Sequence, residues 1–159
     1  MNTETAKNLF DYKDGSLYWK INKGRIKAGS KAGTPREKGH IQIQYNKKMY
    51  REHSIVWMMF NGKNPSAILD HINGNPSDNR IENLRLATNA QNLANRGKNK
   101  NNTSGFKGVY LHNQTNKWVA SIKHLGKKYS LGCYENASDA HQAYKKACVK
   151  LNGDFAKFE

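Results

Sequence analysis

The sequence has little cysteine, few acidic residues and no long apolar run, and each shortage narrows the class of protein it can encode. Its two cysteines, Cys133 and Cys148, show no C-x-x-C spacing, so we expect small core residues in a reducing cytoplasm and no structural disulfide. No apolar segment is long enough to span a bilayer, and residues 1–15 lack the apolar stretch of a signal peptide. We therefore expect a cytoplasmic protein that has no membrane partner.

Basic residues, by contrast, are abundant. Lysine and arginine number 27 against 12 aspartate and glutamate residues, which gives a formal net charge of +15 at pH 7. Such an excess favours a polyanionic partner, and nucleic acid is the expected one. The length of 159 residues suits one ordinary domain or two very small ones.

The chain is organised around residues 70–92, which read DHINGNPSDNRIENLRLATNAQN. A short apolar run ends at Asp70 and His71, and this pattern indicates a strand that opens into a loop rich in turn-forming residues. Residues 83–86 alternate polar and apolar side chains, as a returning strand does. Thr88 and the glutamine three positions later form a capping box, which predicts the start of a helix.

These residues suit the hydrolysis of a phosphodiester bond. The reaction needs an activated water and positive charge near the phosphoryl and leaving oxygens. His71 can accept a proton from water near neutral pH. The Asp70 carboxylate, with the side-chain oxygen of Asn92 as a candidate second ligand, would form an oxygen-donor shell that suits Mg²⁺ or Mn²⁺ rather than zinc.

The same stretch, matched as DHxxGxxxDNRxxNL, resembles the HNH endonucleases of the ββα-metal fold, in particular phage and intron-associated homing enzymes. The motif letters fall on His71, Asn83 and Asn92, which places the sequence with the branch whose final histidine is an asparagine. The resemblance covers roughly residues 40–96. It implies that Asp70 and Asn92 bind Mg²⁺ or Mn²⁺, that His71 is the general base, and that Asn83 braces the loop and orients His71. A phage-encoded enzyme of this kind would act in the host-cell cytoplasm.

Other readings of these residues stay open. The Asp-His pair followed by Asn-Gly is also compatible with an ordinary polar turn that Asn83 caps. His53, which precedes an apolar helix, is expected to be a structural histidine that supports the site rather than a ligand. Four polar residues of the loop are interpreted as turn residues: Asn73, Asn75, Asp78 and Asn79.

The region before the motif is predicted to be rich in strands. Residues 17–21 and 41–45 have strand patterns, and 53–60 read as a short buried helix that stops at Asn61-Gly62. The core face of that helix is predicted to contain Ile55, Val56, Met59 and Phe60.

Beyond the motif, residues 96–105 are polar and basic and are predicted to be a linker. Arg96, Lys98 and Lys100 could neutralise DNA phosphates, although a flexible linker alone would explain this composition.

From residue 106 onward the pattern is three strands and a helix, and it resembles the ethylene-response-factor DNA-binding domain, whose sheet lies in the major groove. The resemblance implies that Trp118, Ala120 and Ile122 face the helix. The residues that it places towards DNA are Tyr110, His112, Ser121, Lys123, Lys128 and Ser130. A small sheet that packs on the nuclease or adds general affinity is the alternative.

The sequence thus predicts an α+β protein with a nuclease domain at 1–95, a basic linker at 96–105 and a DNA-binding domain at 106–159. The predicted activity is metal-assisted hydrolysis of double-stranded DNA by a site-specific homing-type enzyme. A non-catalytic DNA-binding regulator with a degenerate motif and a basic RNA-associated structural protein are the alternatives. The choice between monomer and homodimer, and between nicking and double-strand cutting, stays open.

Overall fold

The structure is a computed structural model in which residues 1–158 are described. The chain divides into two compact units, Met1–Ala87 and Thr88–Glu159. Residues 1–158 form small antiparallel sheets and four α-helices, which confirms the predicted α+β class. The division falls before the helix that was predicted to complete the nuclease domain, and the predicted limits at residues 95 and 105 stay a prediction of domain organisation.

Three small sheets and two helices build the first unit. In chain order its elements are α1 (Thr3–Leu9), β1 (Phe10–Lys13), β2 (Ser16–Trp19), β3 (Thr34–Pro35), β4 (Ile41–Tyr45), β5 (Lys48–Arg51), α2 (Glu52–Asn61), β6 (Ile68–His71) and β7 (Leu84–Ala87). The pairs β1–β2 and β6–β7 are hairpins, and β4 is the central strand between β3 and β5.

Two of the hairpins have tight two-residue turns. Asp14 and Gly15 join β1 to β2, and Asn46 and Lys47 join β4 to β5, all four with positive φ. Two consecutive residues of this kind match the right-handed twist of the flanking strands, and Asn, Asp and Gly adopt the conformation most readily.

Helix α2 provides much of the core of the first unit. It ends where Gly62, at φ 72°, donates its amide to Met58 O at 2.9 Å. The prediction that Phe60 belongs to the core face is wrong, because this residue is 53% exposed. Phe60 lies in the last turn of the helix, and its ring packs edge-on against the ring of Tyr12 in β1. Met58 is buried instead. The buried apolar core consists of Ala6, Leu9, Phe10, Leu17, Trp19, Ala32, Ile43, Ile55, Val56, Met58 and Leu84.

The second unit begins with α3 (Asn89–Ala94), and the predicted capping box is present. The amide of Gln91 donates to Thr88 Oγ1 at 3.3 Å, while Gln91 Oε1 accepts from the Thr88 amide at 2.8 Å. The remaining elements are β8 (Val109–His112), β9 (Lys117–His124), β10 (Lys127–Tyr134) and α4 (Ala137–Asn152).

The three strands form one antiparallel sheet with β9 in the centre, and α4 packs on one of its faces. Ala120 packs with Ala140, and Ile122 packs with Tyr144 and Cys148, so the small alanines of the helix allow close contact with the sheet. Cys148 is buried in this core, whereas Cys133 is exposed, so the prediction of a core position is wrong for Cys133. None of the helices in residues 1–158 has the length and the apolar sequence needed to cross a bilayer.

Candidate functional site

The β6–β7 hairpin carries the acid and the imidazole that the sequence singles out. Asp70 is opposite Arg85 and His71 is opposite Leu84 in the antiparallel register. Both Asp70 and His71 are buried, at 5% and 6% exposure, although they occupy the end of a strand beside a polar loop. Burial of two polar side chains at neighbouring positions requires specific partners for each of them.

Asp70 has a cationic partner across the hairpin. Arg85 Nε donates to Asp70 Oδ2 at 2.9 Å, and the arginine side chain is only 16% exposed. A charge-assisted hydrogen bond of this kind compensates a buried carboxylate for the water it has lost.

His71 is held by a chain of buried hydrogen bonds. Its Nε2 lies 2.9 Å from Asn79 Oδ1, Asn79 Nδ2 donates to Glu52 Oε2 at 2.7 Å, and Glu52 Oε1 accepts from the amide of Leu17 at 2.8 Å. Asn79 and Glu52 are each 1% exposed. Burial raises the pKa of Glu52, and the hydrogen bonds from Leu17 and Asn79 oppose that rise.

This chain determines which nitrogen of His71 carries the proton. Because the amide group of Asn79 donates to the Glu52 carboxylate, its oxygen must face His71. The nitrogen that meets this oxygen is therefore a donor, so Nε2 carries the hydrogen and Nδ1 of the neutral ring is deprotonated. Asn79 was interpreted as a turn residue from the sequence, which gave no sign of this contact.

Asn83 fastens the loop that follows β6. Its Oδ1 accepts from the amide of Asn73 at 3.0 Å, and its Nδ2 donates to Asn73 Oδ1 at 3.0 Å and to Asp78 O at 2.8 Å. These contacts brace the loop. The hydrogen bond that reaches the imidazole of His71 comes from Asn79.

The tip of the loop has its own ion pair. Arg80 Nε and Nη2 donate to the two carboxylate oxygens of Asp78 at 2.9 and 2.8 Å. These bonds hold the pKa of Asp78 well below its usual range. The loop is therefore tied at its tip by Arg80 and at its base by Asn83.

A second group of imidazoles surrounds His71. His40, just before β4, and His53, in α2, lie with ring centroids 5.8 and 5.2 Å from that of His71 and 5.4 Å from each other. One ring nitrogen from each of the three residues lies within 4.8 Å of the other two. We call these three residues the histidine cluster.

The two neighbours of His71 in this cluster, His53 and His40, both have a lowered pKa. Burial lowers the pKa of His53 to about 3, with further lowering by the other two histidines and by Arg51. Burial, followed by Arg51 and His71, also lowers the pKa of His40. The predicted supporting role of His53 suits this position, whereas no short-range pattern in the sequence connects His40 to the motif.

Asn92 lies in α3, in the second unit, where its amide donates to Thr88 O at 2.9 Å. The side chain is half-buried. The predicted role of Asn92 as a metal ligand stays a prediction.

The predicted DNA contacts also lie in the second unit. Strand register pairs Lys123 with Lys128 and Ser121 with Ser130, on the side of the sheet opposite the side chains that meet α4. Tyr110 is on that same face, with Lys128 Nζ 5.1 Å from its ring centroid. His112 is half-buried and contacts Thr115 Oγ1 through Nδ1 at 3.1 Å.

The predicted DNA contacts of the linker, Arg96, Lys98 and Lys100, are exposed. Lys98 Nζ donates to Gly105 O at 3.1 Å.

Comparison with known proteins identifies the class. The sequence model of the HNH endonuclease family matches residues 50–94, which include the whole β6–β7 hairpin. Protein 3.8 of Escherichia phage T7 is 33% identical to the chain over 112 residues, which are 70% of this chain and 92% of that protein. The chain belongs to the HNH endonuclease family.

A second viral relative agrees. The uncharacterized HNH endonuclease L560 of Acanthamoeba polyphaga mimivirus is 34% identical over 110 residues, which are 69% of this chain and 56% of the mimivirus protein. The chain therefore matches little more than half of that relative. No solved structure matches the chain. Membership of this family implies a nucleic acid substrate and chemistry that generally involves a divalent metal.

Proposed function

We propose that the chain is a DNA endonuclease that hydrolyses phosphodiester bonds, with His71 as general base and with a divalent metal ion. The observation that carries the proposal is the buried hydrogen bond from His71 Nε2–H to Asn79, in a chain of the HNH endonuclease family. A histidine with its proton assigned to one nitrogen presents the other nitrogen as a proton acceptor.

Each polar residue of the hairpin then has a part in the reaction. His71 accepts the proton of the water that attacks the phosphorus. Asn79 and Glu52 keep the imidazole in the tautomer that can accept a proton, and they do not touch the substrate in this scheme. Asn83 keeps the loop folded beside the imidazole, as its contacts with Asn73 and Asp78 support.

Asp70 and Asn92 are the proposed metal ligands, and their chemistry fits the ion. A carboxylate and an amide oxygen are hard donors, which Mg²⁺ and Mn²⁺ prefer and zinc does not. The Asp70 carboxylate is buried against the guanidinium of Arg85, so this position already accommodates a positive charge. A bound divalent ion would stabilise negative charge on the phosphoryl and leaving oxygens.

We propose that the sheet of the second unit binds duplex DNA, as in the ethylene-response-factor domain it resembles. The face opposite α4 combines two lysines, Lys123 and Lys128, with the aromatic ring of Tyr110. Cations bind phosphates, and they supply most of the affinity of a protein for duplex DNA. A nuclease with a separate DNA-reading surface fits the homing type of enzyme, which selects a site before cutting.

Digestion of a supercoiled plasmid tests this function. We expect conversion to nicked or linear DNA with Mg²⁺ or Mn²⁺ and none after EDTA treatment. Binding of the plasmid without cutting, under every divalent metal tried, would favour a DNA-binding regulator. Tighter binding to structured RNA than to duplex DNA would favour an RNA-associated protein.

A further inference from the structure

The histidine cluster brings three imidazole nitrogens together, and the proposed reaction has a role for only one of the three side chains. The reaction needs only His71, and the proposed magnesium ligands are oxygens. His40 Nδ1 is nevertheless buried and has no hydrogen-bond partner among residues 1–158. A buried polar atom without a partner costs free energy, and it commonly marks a site for a water or an ion.

The geometry is close to that of a metal site. Zinc bonds to imidazole nitrogens at about 2.0–2.1 Å, and tetrahedral angles then place the nitrogens about 3.4 Å apart. The three nitrogens of the cluster all lie within 4.8 Å of one another. The rings must therefore rotate for the nitrogens to reach bonding distance. His40 is half-buried, whereas His53 and His71 are buried.

The electrostatics select the kind of ion. Neutral imidazoles are the form that binds a metal, and the cluster offers three of these side chains within reach of one ion. Arg51 and Lys38 repel any cation that approaches. The ion must therefore gain strongly from nitrogen donors, as Zn²⁺ and Cu²⁺ do and Mg²⁺ does not.

We propose that His40, His53 and His71 form a binding site for a transition-metal ion of the zinc class, and that an ion bound there inhibits DNA cleavage. Inhibition follows because the metal occupies the lone pair with which His71 would accept a proton. This second part depends on the proposed function, whereas the binding of metal does not.

Binding is measured first, without DNA. Metal-free protein is titrated with Zn²⁺ by equilibrium dialysis, and Co²⁺ is used as a coloured substitute whose visible absorption reports tetrahedral nitrogen coordination. We expect one ion per chain. His40→Gln should weaken the affinity by more than the roughly 10- to 100-fold that loss of an outer partner of a metal ligand costs. His124→Gln, which removes an imidazole of β9 outside the cluster, should leave it unchanged.

The variant His40→Gln is chosen because His40 is only half-buried, and its circular dichroism and unfolding midpoint verify that it folds. Absence of saturable zinc binding by the wild-type protein would overturn the site. Equal affinities of the wild-type protein and a folded His40→Gln variant would also overturn it, because the ion would then lie elsewhere.

Inhibition is measured second. We expect Zn²⁺, added with Mg²⁺ in excess, to reduce plasmid cleavage at the concentration that fills the site. For each protein, the cleavage rate with zinc is divided by the rate of the same protein in Mg²⁺ alone. On this scale, His40→Gln should need a higher zinc concentration for half-maximal inhibition. Unchanged cleavage by zinc-loaded protein would overturn the inhibitory role and leave the site intact. If no metal supports cleavage at all, the proposed function fails, and the cobalt spectrum still decides whether the site exists.

Discussion

His71 depends on partners that are distant in the sequence. Asn79 fixes its tautomer, and Glu52, 27 residues from Asn79, fixes the orientation of that amide. All three side chains are buried, where loss of one hydrogen-bond partner typically costs about 1–3 kcal/mol. The orientation of the His71 imidazole is therefore a property of this network and not of β6 alone.

Replacement of His71, the proposed general base, is the most direct test of its role. His71→Ala should reduce the rate of cleavage by about 10²- to 10⁴-fold, the usual contribution of a general base, with little loss of DNA affinity, because phosphate contacts dominate that affinity. Single-turnover cleavage and duplex binding are measured on the same preparation. His124→Ala is the matched control, and near wild-type cutting by a folded His71→Ala protein would contradict the assignment.

Asn79→Ala tests whether Asn79 positions the base. The change removes the acceptor of His71 and the donor to Glu52, so we expect a loss of about 1–3 kcal/mol in the free energy of unfolding and a fall in kcat with little change in KM. Asn75→Ala, in the exposed part of the same loop, is the control. A loss of stability without any effect on kcat would show that Asn79 has only a structural role.

At the scale of elements, the proposed metal ligands come from a strand and a helix. Asp70 is on β6, across from Arg85 of β7, and Asn92 is in the first turns of α3. The guanidinium of Arg85 on the neighbouring strand balances the negative charge of the Asp70 carboxylate at one of its oxygens. A metal ion would add a second positive partner.

We expect Asp70→Ala and Asn92→Ala to raise the Mg²⁺ concentration that half-maximal cleavage requires, because each removes an oxygen ligand from a small set. Excess Mn²⁺, which binds mixed ligands more tightly than Mg²⁺, should partly restore Asn92→Ala. Asn89→Ala, an exposed residue of the same helix, serves as control. An unchanged metal requirement in both variants would exclude this pair of ligands.

Helix α4 contains a buried imidazole, His141, stacked on Phe106 with 4.7 Å between ring centroids. Burial and then Lys145 lower the pKa of His141, while a backbone hydrogen bond with Lys107 opposes this. The folded form therefore binds a proton more weakly than the unfolded chain. The contribution of the neutral His141 side chain to folding stability is fully present above the pKa of histidine in the unfolded chain, about 6.5. This contribution is lost as the pH falls below that value.

We expect amide exchange in β9 and α4 to become faster, relative to its intrinsic rate, as pH falls from 7.5 to 5.5. In His141→Leu this loss of protection should be smaller, because the substituted side chain does not titrate. Hydrogen-exchange mass spectrometry measures these peptides separately from the first unit. An identical pH dependence in the variant would mean that other groups cause the loss.

For the molecule as a whole, the formal net charge of +15 predicts salt-dependent binding to nucleic acid. The position of the responsible cations can be tested in the full chain. The double variant Lys123→Ala/Lys128→Ala should reduce the slope of log K against log salt by about 2, since each neutralised phosphate contributes about 0.9. Lys146→Ala/Lys150→Ala, on exposed positions of α4, removes the same charge elsewhere. Equal slopes for the two double variants would show that the sheet face does not hold the DNA.

The local parts of this protein could be predicted from sequence because the residues that determine them are neighbours. The Thr88–Gln91 capping box, the stop at Gly62 and the turn at Asn46-Lys47 each depend on backbone groups within a few positions. The resemblance to the ethylene-response-factor domain also implied that Trp118, Ala120 and Ile122 face the helix, and the cores of the second unit confirm this. The motif also identified Asp70 and His71 as a pair on one hairpin.

The surroundings of His71 were decided only by the tertiary structure. Glu52 and Leu17 are 35 residues apart, and their contact exists because α2 packs beside β2. His40 and His53 reach His71 in the same way, His40 from the segment just before β4 and His53 from α2. Periodicity and spacing carry information about faces and turns, and not about which faces meet. Long-range packing therefore set the tautomer of His71 and brought the histidine cluster together.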